Sequence, residues 1–428
     1  MKKFTVFILL SILCGFIQNT NAQQYIKIDA SFYSPVLDEV KKIDIYLPGD
    51  YYENPEQEYA TIYYLHGGGA NQNEGSDNAM YYYNLHGQDP EITSPPAIFV
   101  CPNGACQPYV GSMYVNSELY GNYEDYIMQD VIRFVESNFR AMPDKNFRMI
   151  TGFSMGGFGS ASLASKYPEK FRACIPMSGG FSMDTLLNNF RAKCYQEQGT
   201  YNLHYPAGYY TAVFFTLCGG YSPNMDIEPY HIEIPFDTLG NWQDTVINKW
   251  SQHEVIRRVK NLPDENELAW FLICGRQDNL AFFPSHKEFT DSLDFYGIGY
   301  DTSYFEGTHE FNLESWITAT HWLDSIINLS YTLDTVSIII QQPFEQLSIY
   351  PNPVSNQVKI SYQLNDASSV KIDLFDQQGR KMKELMNCYQ QIGSLQHEWN
   401  ISSIPSGIYY LRLQTDKNIL TRKIIKVN

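Results

Sequence analysis

Short apolar runs recur along the chain, separated by stretches whose apolar positions fall every three or four residues. Residues 60–65, 97–101, 146–151, 171–177, 268–274 and 301–305 are short β-rich runs, and 60–65, 97–101 and 268–274 are nearly free of polar residues. Runs of that length read as strands of a sheet, the apolar ones as central strands. Between them, 123–140 places Tyr126, Ile127, Val131, Ile132 and Val135 on one helical face. Residues 157–166, 281–295 and 313–327 also read as helices. Residues 24–47 alternate apolar and polar and predict one or two edge strands, ended by Tyr46-Leu47-Pro48. Strands alternating with helices predict a mainly parallel sheet covered on both faces, the α/β class.

Residues 181–260 break this rhythm. They are rich in aromatics, contain the turn Tyr221-Ser222-Pro223-Asn224, and show a helical run over 250–259. They read as an insertion between sheet strands, placed to shape a substrate pocket. Residues 330–345 read as a linker with one strand. Beyond it the texture changes: 358–362, 370–374 and 407–413 alternate like half-buried strands, and 421–426 is a basic finish. Residues 346–428 therefore predict a small all-β sandwich of a size that can fold on its own.

A length of 428 residues suits two or three domains. The formal charge of −17 argues against nucleic acid or anionic membrane as a partner. The start has the form of a cleaved signal peptide over residues 1–22: Lys2-Lys3, an apolar run over 4–17, and Thr20-Asn21-Ala22 at the cut. Leu13 stands before Cys14 where a lipoprotein signal requires a small residue. No later stretch suits a membrane span. Export permits disulfides; the spacing allows bonds between Cys101 and Cys106 and between Cys194 and Cys218, while Cys174 and Cys274 read as buried thiols. No cluster of His, Cys or carboxylates has metal-ligand spacing, so neither metal nor cofactor is expected.

The candidate chemistry starts at Gly152-Phe153-Ser154-Met155-Gly156-Gly157, between a strand and a helix. A serine at the apex of a sharp strand-to-helix turn needs neighbours without bulk two positions either side, and Gly152 and Gly156 satisfy that. The helix start behind it offers amides and a positive dipole end to a developing oxyanion. Residues 60–65 run into His66-Gly67-Gly68-Gly69, a loop able to turn its amides toward a substrate oxygen; Gly68 and Met155 are the expected oxyanion donors. A serine nucleophile needs a base and an orienting carboxylate. Asp278 and His309 stand just past the carboxyl ends of strands, the edge where open α/β sheets carry their sites.

Taken together, Ile45-Tyr46-Leu47-Pro48, Tyr64-Leu65-His66-Gly67-Gly68, the serine turn, Cys274-Gly275-Arg276-Gln277-Asp278 and Gly307-Thr308-His309 resemble the Putative esterase family of α/β-hydrolases. That family includes feruloyl and acetyl xylan esterases, esterase D-type enzymes and mycolyltransferase-like proteins. The resemblance covers about residues 25–329, within a domain taken as 23–329. It implies an α/β-hydrolase fold and a serine carboxylesterase with Ser154 as nucleophile, His309 as base and Asp278 as orienter. The ester substrate is left open: acetyl or feruloyl esters of plant polysaccharide are one reading. An acyltransferase on the same scaffold is another, and a peptidase of prolyl-oligopeptidase type a third, although no propeller-sized segment precedes the glycine loop. The tail, with Tyr350-Pro351-Asn352-Pro353 and Gly407-Ile408-Tyr409-Tyr410, resembles the C-terminal sorting domain of type IX secretion substrates in Bacteroidetes. That resemblance implies the type IX machinery as a partner and a secreted or surface location reached through the periplasm. A carbohydrate-binding sandwich is the competing reading.

Overall fold

In the computed structural model the described residues are 25–205, 207–265, 267–341, 347–364, 367–376, 380–415 and 419–427. The expected signal peptide over 1–22 lies outside them. The chain divides into two units after Ser330.

The apolar runs of the first unit are strands. In chain order they are β1 (Tyr25–Ser34), β2 (Glu39–Pro48), β3 (Thr61–Leu65), β4 (Ile98–Pro102), the two-residue β5 (Asn116–Ser117) and β6 (Gly121–Asn122), β7 (Arg148–Phe153), β8 (Ala173–Met177), β9 (Ala269–Gly275) and β10 (Asp301–Phe305). All except β5 and β6 share one eight-stranded sheet of order β1-β2-β4-β3-β7-β8-β9-β10. The first three of that order are antiparallel and the rest parallel. Every residue of β3, β4, β8 and β9 is buried, as strands covered on both faces must be.

The helices are α1 (Ser76–Gln88), α2 (Tyr123–Asp125), α3 (Ile132–Asn138), α4 (Met155–Lys166), α5 (Met183–Gln198), α6 (Tyr209–Tyr221), α7 (Asp244–Ser251), α8 (Phe282–Tyr296) and α9 (Leu313–Gln341). A π-type turn, Tyr126–Val131, joins α2 to α3. The face expected there is the buried one: Tyr126, Ile127, Val131, Ile132 and Val135 are all in the core.

Three expectations are corrected. The helical run over 250–259 is α7, which ends at Ser251, followed by a separate 3-10 turn, Ile256–Asn261. Trp250 anchors the end of α7, its indole N–H donating to Ser222 Oγ at 2.9 Å, and the His253 ring beyond it stacks on Tyr221. Residues 330–341 hold no strand; α9 continues to Gln341, since no glycine or proline interrupts the chain between Gly307 and Pro343. Residues 342–345 of the expected linker lie outside the described residues. The entertained disulfides are absent: all seven described cysteines are free. Cys101 lies in β4, buried beneath Gly75 and Tyr64, whereas Cys106 faces Tyr123 and Lys41.

The second unit carries β11 (Ser348–Tyr350), β12 (Gln357–Leu364), β13 (Ser368–Phe375), β14 (Lys381–Gln390), β15 (Gly393–Asn400), β16 (Gly407–Gln414) and β17 (Ile419–Lys426). They form antiparallel sheets of order β11-β12-β15 and β14-β13-β16-β17. One core joins them, with Val358, Ile360 and Tyr362 from the first and Ile372, Leu411 and Leu413 from the second. This is the packing of a sandwich.

Candidate active site

Ser154 is the single residue between β7 and α4, with φ 57° and ψ −111°. A positive φ is costly for a residue with a side chain and persists only where the surroundings impose it. Here they do. The Ser154 N–H donates to the carbonyl of Met177 in β8 at 2.9 Å, and its own carbonyl accepts from Phe158 N–H at 3.0 Å. Helix α4 is pressed onto the sheet so closely that a Cβ on Gly156 would lie 1.8 Å from the Leu65 carbonyl oxygen, and one on Gly152 2.5 Å from the same atom. The glycines of the motif are the condition for that approach.

Asp278 and His309 arrive from the two strands beyond β8. Gly275 closes β9, and a Cβ there would stand 2.3 Å from the Thr308 carbonyl oxygen, so the loops after β9 and β10 lie directly against each other. Gln277 N–H donates to the Gly307 carbonyl at 2.9 Å, fixing one loop on the other. The Asp278 carboxylate is fully buried. Its Oδ1 accepts the Leu280 N–H at 2.9 Å, and its Oδ2 lies 2.7 Å from His309 Nδ1. A carboxylate can only accept, so Nδ1 carries the ring proton. That leaves Nε2 as acceptor, 2.8 Å from Ser154 Oγ. The rings of Phe153 and Phe282 flank the imidazole, with centroids 5.0 and 5.2 Å away. The three expected residues thus form one hydrogen-bonded line.

The glycine loop meets Ser154 at a shared cavity. Gly68, Ser154 and Met155 all line it, under a roof of Leu186 and Phe190 from α5 and Val213 and Leu217 from α6. The cavity is narrow and open to solvent at its mouth. Its walls are chiefly apolar and aromatic, and the 181–260 insertion supplies much of them. Gly67 N–H donates to the Glu74 carboxylate, and Gly69 N–H to the Val110 carbonyl at 2.6 Å. Gly68 lies between these two fixed points. His66 is part of the scaffold of this loop. Its Nδ1 bonds to the Gly67 carbonyl at 2.8 Å and its Nε2 accepts from Gly104 N–H at 2.8 Å. Burial pushes its imidazole down to about 4, so it stays neutral.

Other histidines are occupied elsewhere: His86 Nδ1 with the Tyr82 carbonyl, His321 with Asp89, and His286 in the core against Phe181. Glu74 and Val110, which hold or pack on the glycine loop, and Thr216, which accepts from the Val110 N–H, are not among the residues that the sequence singles out. Glu74 carried one weak signal, its place just after the glycine run. Val110 and Thr216 carried none, because their relation to the loop is made only by folding.

Residues 34–320 match the model of the Putative esterase family, and residues 348–427 that of the secretion system C-terminal sorting domain. An esterase of Mycobacterium tuberculosis is 28% identical over 141 residues, 33% of this chain and 29% of the relative. A probable feruloyl esterase C of Aspergillus niger is 34% identical over 137 residues, 31% of this chain and 44% of the relative. The chain therefore matches less than half the length of these curated relatives. Among solved structures, a ferulic acid esterase aligns at 19% identity with a TM-score of 0.48, over 72% of this chain and 98% of that one.

Proposed function

The chain belongs to the Putative esterase family of ester-hydrolysing enzymes, and from that premise we propose that it is an exported serine carboxylesterase working through Ser154, His309 and Asp278. The observation that carries this reading is the line Ser154 Oγ, His309 Nε2, His309 Nδ1, Asp278 Oδ2, with hydrogen-bond distances of 2.8 and 2.7 Å. In the proposed reaction Ser154 Oγ attacks the ester carbonyl while His309 Nε2 takes its proton. Asp278 holds the tautomer that leaves Nε2 free and stabilises the imidazolium. The carbonyl oxygen becomes an oxyanion held by the amides of Gly68 and Met155. His309 returns the proton to the departing alcohol, and the acyl group stays on Ser154. Water, deprotonated by His309, then attacks the acyl-enzyme; the bond to Ser154 Oγ breaks, His309 returns the proton to that oxygen, and the acid is freed.

The apolar cavity beside Ser154 favours an acyl group with a sizeable apolar body. Phe158, Phe190 and Phe282 in its walls suit an aromatic one, in keeping with feruloyl esters of plant polysaccharide. The matched sorting domain supports export to the cell surface or beyond.

Ser154→Ala tests the reading. Hydrolysis of p-nitrophenyl acetate should fall to background with the melting temperature preserved; near wild-type turnover would refute it. A panel of feruloyl, acetyl and plain aryl esters then ranks the acyl groups.

A further inference from the structure

The candidate oxyanion donors Gly68 and Met155 come from different elements, and one short segment touches both. A Cβ on Gly68 would lie 2.8 Å from Val110 Cγ1, so the Val110 side chain rests directly on Gly68. A Cβ on the next residue, Gly111, would lie 2.3 Å from Met155 Sδ, so the Met155 side chain fills that space. The Val110 carbonyl also accepts the Gly69 N–H at 2.6 Å. Residues 110–111 are therefore a shim between the glycine loop and the start of α4.

The shim hangs from the insertion. The Val110 N–H donates to Thr216 Oγ1 on α6 at 3.0 Å, across 106 residues of sequence. The hydroxyl proton of Thr216 goes to the Ala212 carbonyl at 2.9 Å, which turns an oxygen lone pair toward Val110. Thr216 is itself buried, at 1% exposure, and lines the same cavity as Ser154. A buried amide that loses its acceptor must move or stay unsatisfied. Any shift of Val110 passes to Gly68 by contact and to Gly69 by hydrogen bond.

We infer that Thr216 is a positioning residue for oxyanion stabilisation. Through Val110, the helix that walls the acyl cavity also sets the amide that receives the oxyanion. This rests on the reading of Gly68 as a donor. Thr216 touches no reacting atom in this scheme; its effect belongs to the transition state.

The test compares Thr216→Val, which keeps the volume and removes the acceptor, with Thr216→Ser, which keeps the acceptor. The substrate is p-nitrophenyl acetate, whose small acyl group keeps contact with the cavity wall to a minimum. The probe is a trifluoromethyl ketone, which forms a hemiketal oxyanion on a serine. For Thr216→Val, kcat should fall about ten- to a hundredfold, short of the 10²–10³ lost with a whole donor, and KM should change less than twofold. The ketone Ki should rise by the same factor as kcat falls, and Thr216→Ser should stay within about threefold of wild type. Unchanged kcat and Ki in Thr216→Val overturn the inference, and so does a loss confined to KM. Should Thr216→Val fail to fold, Thr216→Ala replaces it: room for a water at the Val110 amide predicts a kcat between those of wild type and a donor-loss variant. Wild-type kcat in Thr216→Ala would overturn the inference. A still-inactive Ser154→Ala separates that failure from a failure of the esterase reading.

Discussion

Gly156 stands against Leu65 with no room for a side chain: a Cβ would fall 1.8 Å from the Leu65 carbonyl oxygen and 3.0 Å from that of His66. Both obstacles are backbone, one in a central strand and one at the root of the glycine loop, so neither can rotate away. Gly156→Ala should therefore push α4 off the sheet. The expected cost is about 3 kcal/mol, the upper end for overpacking, together with loss of esterase activity. A thermal melt and a p-nitrophenyl acetate assay check it; a variant that melts and turns over like wild type would mean that α4 has slack there.

Asp278→Asn should leave the fold intact, since an amide oxygen can still accept from Leu280 N–H. It should nevertheless lower kcat by about three to four orders of magnitude, because a neutral amide no longer fixes the proton on Nδ1 or stabilises the imidazolium. Steady-state kinetics beside a melt measures this. A loss below tenfold would remove Asp278 from the proposed mechanism.

Glu74 gives a pH-dependent test. Burial raises its carboxyl above the ordinary value of 4.5, opposed by the Gly67 amide and by His309. For a carboxyl raised by folding, the stabilising share is full below the unfolded pKa and is lost as pH rises through the folded value. At neutral pH the wild type thus carries a buried charge at a cost. Glu74→Gln keeps an acceptor for Gly67 N–H and abolishes the titration. Its melting temperature relative to wild type should rise by about 1–3 °C between pH 4 and pH 7.5. A relative change in the opposite direction would show that the charge is net favourable in place.

Deleting residues 346–428 should leave the enzyme in the periplasm, active on cell fractionation but absent from the surface and medium. Export of the truncated chain at the normal level would rule out a sorting role for the tail.

The central strands β3, β4 and β9 were readable because a strand covered on both faces is mostly apolar, as Ile98–Pro102 is. Ser154 was readable because its strained turn admits only glycine at positions 152 and 156. The insertion resisted for the opposite reason. Phe214, Phe215, Leu217 and Cys218 of α6 are all buried, so the helix shows no polar face and its period is masked. In the tail, β14 and β15 are mostly exposed or half-buried and carry Lys, Glu and Gln, so their alternation is faint. Val110 and Thr216 are ordinary residues that gain meaning only from neighbours about a hundred positions away.

Strands β8 and β9 are hydrogen-bonded neighbours, with Ala173 opposite Ala269 and Cys174 opposite Trp270. The polypeptide thus departs the sheet and rejoins it one strand over, whatever it does in between. Ser154 on one side of that gap and Asp278 on the other each follow a strand of that sheet, and the excursion touches the second through Asn189, whose amide donates to the Leu280 carbonyl at 2.9 Å. The excursion is in effect an exchangeable cassette: its length and sequence can vary while the proposed catalytic residues keep their spacing, provided that some residues still reach over to hold Val110 and Leu280.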